Sequence, residues 1–152
     1  MVKLVKIVSG GQTGVDRAAL DVALQLGMSC GGYCPKGRKS EDGVIPEIYP
    51  LTEAKTDSYP ERTELNVRHS DGTLILIVGE ADRGTSLTMD LCKRYKKPWL
   101  VIDPADEPAG TDIQHWIKQN RISVLNVAGN RESISPGIQR KAHEFLLQLF
   151  KN

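Results

Sequence analysis

The chain has 152 residues and a formal net charge of +1 at pH 7, with 26% charged and 39% hydrophobic residues. This length buries enough surface for a domain without disulfides, so we predict one domain over residues 1–152. The near-zero charge disfavours nucleic acid or an anionic membrane as the main partner. The longest aliphatic run, residues 74–78, is too short to cross a bilayer.

The start of the chain and its cysteines predict a cytoplasmic location. Residues 1–3 lead directly into a strand-like segment rather than into a signal peptide. The three cysteines, Cys30, Cys34 and Cys92, include no Cys-x-x-Cys pair, which is typical of reduced thiols in a reducing compartment.

The first part of the chain is predicted to form a strand, a helix, a second strand and a long loop. Residues 4–8 are a short aliphatic run of the kind that a parallel sheet buries. Apolar residues at helical spacing follow over residues 15–26, and residues 28–34 form a weaker strand. Residues 35–60 are rich in proline, glycine and charge, which predicts a functional loop with one short extra strand near 44–51.

The rest of the chain alternates strands and helices. Strands are predicted at residues 73–78, 99–102 and 124–127, and a helical pattern follows each of them. Ser135 as the N-cap and Pro136 as the first helical residue predict where the last helix begins. This alternation predicts an α/β fold with one doubly wound, mainly parallel sheet of about five strands and helices on both faces.

Three glycine-containing turns lie where a predicted strand gives way to a helix. A helix N-terminus presents free backbone N–H groups and the positive end of the helix dipole, so each turn is a candidate phosphate cradle. Gly11 and Gly14 would let the backbone approach a phosphate that a Cβ would obstruct. Three such turns in one short chain predict a ligand that carries phosphate. They read Ser9-Gly10-Gly11-Gln12-Thr13-Gly14, Gly84-Thr85-Ser86-Leu87-Thr88 and Ala128-Gly129-Asn130-Arg131-Glu132-Ser133.

The first turn approximates a dinucleotide-binding fingerprint but lacks its acidic partner. Where that fingerprint needs an acidic residue to hold the ribose, the end of the second strand carries Lys36 and Arg38. An NAD-dependent dehydrogenase is therefore disfavoured, and the basic residues favour a ligand with several anionic groups. Thr13 and Asp16 also fit a helix capping box, an interpretation that is compatible with an anion site.

Metal chemistry and serine catalysis have little support in the sequence. The three histidines, His69, His115 and His143, are scattered without metal-ligand spacing, so no metal site is predicted. No serine lies in a nucleophile elbow.

The combined motifs resemble the molybdenum carrier family, also described as the circularly permuted YpsA-related branch of the SLOG superfamily. The resemblance covers essentially the whole chain. Asn130 departs from the family, which often has proline there, and we expect this to change the stiffness of the loop more than its chemistry. The matching segments are Ser9-Gly10-Gly11-Gln12-Thr13-Gly14-Val15-Asp16-Arg17-Ala18-Ala19-Leu20-Asp21, Cys34-Pro35-Lys36-Gly37-Arg38, Asp42-Gly43-x-Ile45-Pro46, Tyr49-Pro50-Leu51, Arg62-Thr63-x-x-Asn66-Val67, Ser70-Asp71-Gly72-Thr73-Leu74-Ile75, Gly84-Thr85-x-x-Thr88 and Leu125-Asn126-Val127-Ala128-Gly129-x-Arg131-Glu132-Ser133.

The resemblance implies a Rossmann-like binder of nucleotides or nucleotide-like ligands that forms a homo-oligomer. Some relatives carry molybdopterin, a pterin with a phosphate, so the molybdenum cofactor is a candidate cargo. The resemblance also implies that the last strand lies beside the first, in the sheet order 2-1-5-3-4. The sequence alone does not choose between this order and 2-1-3-4-5. The first order would bring all three turns to the ends of adjacent strands.

The resemblance also bears on catalysis. The related lonely-guy enzymes cleave nucleoside monophosphates with a catalytic glutamate, and Thr88 stands at the matching place. A hydroxyl cannot act as a carboxylate base, so we favour binding of a phosphorylated small molecule without turnover and assign no catalytic residue. A nucleotide-processing hydrolase that uses Asp16, Glu80 or Asp82 is one alternative, and a sensor of a nucleotide signal is another. The predicted ligand-binding residues are Gly10, Gly11, Gln12, Thr13, Gly14, Asp16, Lys36, Arg38, Arg62, Gly84, Thr85, Ser86, Thr88, Gly129, Asn130, Arg131, Glu132 and Ser133.

Overall fold

Strands and helices alternate along the part of the chain that the computed structural model describes, residues 4–105 and 109–151, with the side chains of 109–111 excepted. Residues 1–3, where we expect no signal peptide, and the outermost residues of the predicted domain lie outside that part. In chain order the elements are β1 (Lys6–Val8), α1 (Val15–Gln25), β2 (Ser29–Gly31), β3 (Tyr33–Cys34), β4 (Lys39–Ser40), β5 (Gly43–Val44), β6 (Thr52–Glu53), α2 (Tyr59–Arg68), β7 (Gly72–Leu76), α3 (Arg83–Arg94), β8 (Trp99–Ile102), α4 (Ala109–Gln119), β9 (Val124–Gly129) and α5 (Ile138–Lys151).

Five of these strands form the central sheet, in the order β2-β1-β9-β7-β8. All four neighbouring pairs are parallel. Counted among the five predicted strands, this order is 2-1-5-3-4, so the permuted order and the doubly wound α/β fold are confirmed. The last strand of the chain thus lies in the middle of the sheet, between the first strand and the third.

The core lies on both faces of this sheet, as apolar parallel strands require. On one face, Leu74 and Leu76 of β7 pack in a cluster with apolar side chains of α1, α4 and α5. Alternate residues of a strand point to opposite faces, so Thr73 points to the other side, where it lies close to Cys92. There α2 and α3 form a smaller cluster that contains Val67 and Cys92.

The long loop predicted over residues 35–60 contains more structure than expected. Pairing of β4 with β5 forms an antiparallel hairpin, residues 39–44, which we call the acidic hairpin because Glu41 and Asp42 form its tip. A separate parallel pair joins β3 to β6. The extra strand predicted near residues 44–51 is therefore wrong in position, because short pairs form on either side of that segment instead.

The sequence analysis also missed α2, although its start signal is present. Ser58 is the N-cap, and its hydroxyl accepts the Glu61 N–H at 3.4 Å. Pro60 lies in the first turn of this helix, where its missing N–H costs nothing. A serine followed three residues later by a glutamate is the capping-box pattern, so this helix was within reach of sequence reasoning.

The start of the last helix differs from the prediction. α5 begins at Ile138, after Gly137 with φ +91°, so Ser135 is not its N-cap and Pro136 is not its first residue. The carboxylate of Glu132 accepts the N–H groups of Gly137 at 2.6 Å and Gln139 at 3.0 Å. An acidic side chain that satisfies these amides also interacts favourably with the helix dipole.

A membrane-spanning helix is not found in the part of the chain described here. None of the helices within residues 4–105 and 109–151 is both long enough and apolar enough to cross a bilayer.

Candidate functional site

The three predicted turns lie side by side at the carboxyl ends of β1, β9 and β7. The Val15 N–H, after the first turn, donates to the Asn130 carbonyl in the third at 3.2 Å. The Arg131 N–H in the third turn donates to the Asp82 carboxylate, just before the second, at 3.1 Å. This convergence follows from the sheet order, because β9 lies between the two strands that lead into the other turns. Open α/β sheets bind ligands at such an edge.

The glycines of the first turn make room for other parts of the protein. A Cβ on Gly10 would overlap the Arg62 guanidinium. Gly11 has φ +77°, and a Cβ there would lie 2.5 Å from a methyl group of Leu51. Gly14 has φ +84°, and a Cβ there would overlap the Asn130 carbonyl. The expectation that these glycines leave space for a phosphate is therefore wrong for Gly11 and Gly14, because protein atoms fill that space.

Most amides of the first turn already have acceptors within the protein. The Thr13 N–H donates to Gln12 Oε1 at 3.0 Å, and the Gly14 N–H donates to Gln139 Oε1 at 3.0 Å. Gln12 Oε1 also accepts the Glu41 N–H at 2.9 Å. The expectation of free amides is thus wrong for these positions, since a buried N–H needs a partner and nearby side chains supply one.

The capping box predicted for Thr13 and Asp16 is also not formed. The N-cap of α1 is Gly14, which has no side chain to cap the helix. The Thr13 hydroxyl instead donates to Glu41 and accepts the Glu132 N–H at 3.2 Å. Thr13 therefore joins the first turn to the third turn and to the acidic hairpin.

At the second turn, the buried hydroxyls point into the protein. Asp82 is the N-cap of α3, and its carboxylate accepts the Thr85 N–H at 2.8 Å. The Thr88 hydroxyl donates to the Gly84 carbonyl one turn earlier in its own helix, at 2.9 Å. Gly84 and Ser86, in contrast, are exposed at the start of the helix. Gly84 and Ser86 are therefore the predicted residues of this turn that are open to a ligand.

Asn130 links the second and third turns through its buried side chain. Its amide group donates to the carbonyl of Glu80 at 2.8 Å and to the hydroxyl of Ser135 at 2.9 Å. Its Oδ1 accepts the Asp82 N–H at 2.9 Å and the Thr85 hydroxyl at 3.3 Å. A proline could make none of these bonds, so the expectation that Asn130 affects mainly loop stiffness is wrong.

Gly129, the last residue of β9, allows the strand to lie close to its neighbours. A Cβ on Gly129 would overlap the Leu76 carbonyl and the side chain of Val15. Its role in the structure is therefore close packing of β9 against β7 and α1.

The Glu41 carboxylate, which the sequence analysis did not single out, occupies the space between the first and third turns. It accepts the Ser133 N–H at 3.1 Å, the Ser133 hydroxyl at 2.5 Å and the Thr13 hydroxyl. Arg131 Nε lies 3.6 Å from the same carboxylate. Desolvation opposes ionisation of Glu41, but the hydrogen bonds from Ser133 and Thr13 hold its pKa below the usual value. The turns therefore hold an anion, and that anion belongs to the protein.

Its neighbour Asp42 anchors the acidic hairpin to the helix that follows the first turn. Arg17, only 6% exposed, donates to both Asp42 oxygens, at 3.0 and 3.2 Å. Hydrogen bonds from Arg17 and Ser40 lower the pKa of Asp42 to about 2. Arg17 does not pair with Asp21, which lies four residues later in the same helix. Asp21 instead accepts the Tyr49 hydroxyl at 2.5 Å.

Asp16 and Arg62 form a buried ion pair beside the first turn. Arg62 Nη1 donates to Asp16 Oδ2 at 3.1 Å, with side-chain exposures of 13% and 7%. Burial raises the pKa of Asp16 to about 6 against the attraction of Arg62, and the charge of Asp82 raises it further. Among the described residues, Nε of Arg62 and Nε of Arg131 are buried side-chain atoms without a hydrogen-bond partner.

The other two predicted basic residues do not join this cluster in the same way. The Arg38 guanidinium donates to the carbonyls of Ile45, Pro46 and Tyr49 at 2.7 to 3.1 Å, and so it holds the loop after the acidic hairpin. Lys36 is exposed. The structure therefore brings Arg62 and Arg131 to the turns, whereas Arg38 has its donors committed elsewhere.

Two cavities flank the third turn. One of about 440 Å³ is lined by Glu132 and by polar side chains of α1 and α5, including His143. The other, of about 260 Å³, is lined by Val78, Ile134 and Lys141 among others. No cluster of three His, Cys, Asp or Glu side chains that could hold a metal ion occurs within the ranges described.

Comparisons with known proteins agree with this arrangement. Residues 7–150 match the circularly permutated YpsA SLOG family. A crystal structure from Syntrophus aciditrophicus SB, named "Putative molybdenum carrier protein", is 45% identical in sequence. The match covers 97% of this chain and 95% of that chain, with a TM-score of 0.93. The comparison with curated proteins found no match.

Proposed function

This chain belongs to the circularly permutated YpsA SLOG family, and we propose that it binds and carries a phosphate-bearing, nucleotide-like ligand. In this proposal the phosphate lies where the three turns meet, beside Thr13, Arg131 and Ser133. The rest of the ligand extends towards the exposed start of α3, at Gly84 and Ser86. Amides, hydroxyls and arginines bind phosphate without reading what is attached to it.

The observation that carries this proposal is the pair of unpartnered arginine nitrogens. Within the described residues, Nε of Arg62 and Nε of Arg131 are buried and make no hydrogen bond. A buried N–H group without an acceptor costs about 1–3 kcal/mol, so native proteins rarely keep one without a reason. Two such groups from different elements beside one set of turns favour an anionic ligand that accepts from them.

The molybdenum cofactor is our first candidate for the cargo. The similar structure from Syntrophus aciditrophicus SB has a name that refers to a molybdenum carrier. Molybdopterin carries a phosphate, which the donors at the three turns would accept, and a pterin, which needs a less polar surface. Val78 and Ile134, in the smaller cavity beside the third turn, offer such a surface. The resident Glu41 carboxylate shows that the donor set suits a compact anion.

Identification of a co-purified ligand is the direct test of this proposal. We expect native mass spectrometry of the purified protein to reveal a bound phosphorylated compound. Calorimetric titration with GMP supplies a defined probe, and Arg131→Ala should weaken its binding by about 1–3 kcal/mol, the usual value of a charge-assisted hydrogen bond. Arg94→Ala is the matched control, because Arg94 is exposed in the last turn of α3, at the end of that helix opposite to the second turn.

Two results would count against the proposal. One is a folded wild-type protein that yields no phosphorylated compound and binds neither GMP nor AMP at millimolar concentration. The other is equal loss of GMP affinity in Arg131→Ala and Arg94→Ala, which would mean that general surface charge rather than the turns attracts the nucleotide.

A nucleotide-processing hydrolase is the second candidate, and the state of Asp16 is the observation that favours it. A buried carboxylate whose pKa is raised to about 6 is suited to general acid catalysis near neutral pH. Thr88 cannot take that role, since its hydroxyl donates within its own helix. Incubation with nucleoside monophosphates and chromatography for released base separates the two candidates. Turnover of about 1 s⁻¹, at the low end for ordinary enzymes, would favour the hydrolase.

A further inference from the structure

The Glu41 carboxylate reaches the third turn from a distant part of the chain. It lies at the tip of the acidic hairpin, 92 positions before Ser133 in the sequence. We propose that Glu41 is an internal substitute for the phosphate of the ligand, and that the ligand binds by displacing this carboxylate. The inference rests on the proposed function and adds how the site is controlled.

The donors around Glu41 are those of an anion site. One oxygen accepts the Ser133 N–H at 3.1 Å and the Thr13 hydroxyl, and the other accepts the Ser133 hydroxyl at 2.5 Å. Arg131 adds a positive charge at 3.6 Å. An amide, two hydroxyls and a guanidinium are also the groups that bind phosphate in proteins. In the absence of a ligand the Glu41 carboxylate accepts from the amide and both hydroxyls, and it lies near the guanidinium without a hydrogen bond to its Nε.

Glu41 differs from the other carboxylates at the turns in how it is held. Asp82 is the N-cap of α3, so its removal would uncap a helix. Glu132 likewise accepts the first amides of α5. Glu41 caps no helix, and its side chain is already 20% exposed. Rotation of this side chain into water would free all four donors and leave the central sheet and its helices in place.

The acidic hairpin can also tolerate the release of Glu41. Its two strands have only two residues each, and Val44 on the second strand is 73% exposed. The Arg17–Asp42 ion pair holds the tip of the hairpin independently of the Glu41 side chain. Short, exposed segments open at a lower free energy than the core of a protein. Asp42, which anchors the hairpin, and Glu41, whose carboxylate can leave, are therefore adjacent residues with separate partners.

The proposal predicts that Glu41→Ala creates a site for inorganic phosphate. Loss of the side chain should lower Tm, because the Ser133 N–H loses its acceptor and Arg131 loses the negative charge 3.6 Å from its Nε. Phosphate should then fill the vacated position and restore Tm in a saturable way, by roughly 2–4 °C at about five times its Kd. The wild-type protein should show no saturable rise at the same millimolar concentrations, since its own carboxylate occupies the site. Differential scanning calorimetry at constant ionic strength measures both effects.

Three further variants separate specific binding from general salt stabilisation. Glu53→Ala is the matched control, because this exposed carboxylate also accepts a backbone amide in the same loop region, that of Gly37 at 2.6 Å. It should lose some stability, and phosphate should not restore it. The double variant Glu41→Ala with Arg131→Ala should lose the phosphate response. Should Glu41→Ala fail to fold, Glu41→Gln keeps the shape of the side chain, removes its charge and should show the same response more weakly.

The outcomes distinguish this inference from the proposed function. A Glu41→Ala protein with no saturable phosphate response, or with one equal to that of Glu53→Ala, overturns the role of Glu41, whatever ligand the wild-type protein carries. A clear response in Glu41→Ala supports that role, even where the wild-type protein yields no phosphorylated compound and binds neither GMP nor AMP at millimolar concentration. In that second case the carrier function fails and the anion subsite stands.

Discussion

At the scale of single residues, Asn130 shows how much of the site is held by polar side chains rather than by glycine flexibility. It is fully buried, and its side chain bonds to three groups around the second turn and to the Ser135 hydroxyl after the third turn. Removal of this amide would leave the Asp82 N–H and the Glu80 carbonyl to find other partners in a dry environment, which is costly. The Asn130 side chain therefore reinforces the bond between the Arg131 N–H and the Asp82 carboxylate, which also joins the second and third turns.

Asp16 gives a prediction about pH at this scale. Burial raises its folded-state pKa from 3.8 to about 6, so between pH 4 and pH 6 the folded protein keeps a proton that the unfolded chain releases. The free energy of unfolding contributed by Asp16 therefore falls as pH rises through this window and is level above it. A shift of about two pKa units corresponds to roughly 3 kcal/mol. Urea unfolding should show that the free energy of unfolding of the wild type, relative to that of Asp16→Asn, rises by about this amount as pH falls from 7 to 4.

Asp42→Asn is the matched variant, because the pKa of Asp42 is shifted in the opposite direction from that of Asp16. Arg17 lowers the pKa of Asp42 to about 2, so the stability that Asp42 contributes is present above pH 4 and is lost as pH falls from 4 towards 2. Groups common to both proteins cancel in each difference. A constant difference between wild type and Asp16→Asn from pH 7 to pH 4 would mean that Asp16 is ionised throughout, and it would remove the case for a general acid.

At the scale of elements, the turn between β1 and α1 gives a prediction about packing. Gly11 and Gly37 both have positive φ, +77° and +83°, so an L-residue is strained at either position. A Cβ on Gly11 would also lie 2.5 Å from Leu51 and 3.0 Å from Ile45, whereas nothing lies within 4 Å of a Cβ on Gly37. Gly37→Ala should cost roughly 1–2 kcal/mol, and Gly11→Ala roughly 2–5 kcal/mol because overpacking adds to the strain.

Chemical denaturation of the two alanine variants measures this difference. Equal losses of stability would mean that Leu51 and Ile45 move aside without cost and that the turn is looser than its contacts indicate. The result also bears on function, since a Gly11 variant that loses ligand binding through unfolding would say nothing about a phosphate cradle.

Elements with regular apolar spacing could be predicted from the sequence, whereas the site contacts between them could not. Val15, Ala18 and Val22 on α1 repeat every three or four residues and are buried as that spacing predicts. The acidic hairpin has no such repeat, and its conformation depends on Gln12 of the first turn and on Arg17 of α1. The predicted turns are in place, but partners from distant segments, such as Glu41 and Gln139, take their amides and hydroxyls.

At the scale of the whole molecule, the order of strands is decided by where the last strand of the chain lies in the sheet. Spacing alone leaves two orders open, because a short, largely apolar final strand fits equally well at the edge or in the middle of a parallel sheet. The family resemblance supplied the choice, and β9 lies between β1 and β7. The three turns meet for this reason only. Self-association and a cytoplasmic location remain predictions.

The same topology predicts two levels of stability within one molecule. Val127 lies on β9, which is paired on both sides, so its amide should exchange with solvent only on global unfolding, at about 5–15 kcal/mol. The amides of Glu41 and Ser133, bonded to Gln12 and to Glu41 respectively, report on release of the acidic hairpin. We expect both to exchange at a free energy lower by at least about 2 kcal/mol, because this release leaves the sheet intact. Native-state hydrogen exchange measured by NMR tests this. Protection of Glu41 equal to that of Val127, with Ser133 less protected, would mean that the hairpin opens only when the protein unfolds and that a ligand could displace Glu41 only by rotation of its side chain. Protection of Ser133 equal to that of Val127 would mean that the Glu41 carboxylate does not leave the folded protein by either route.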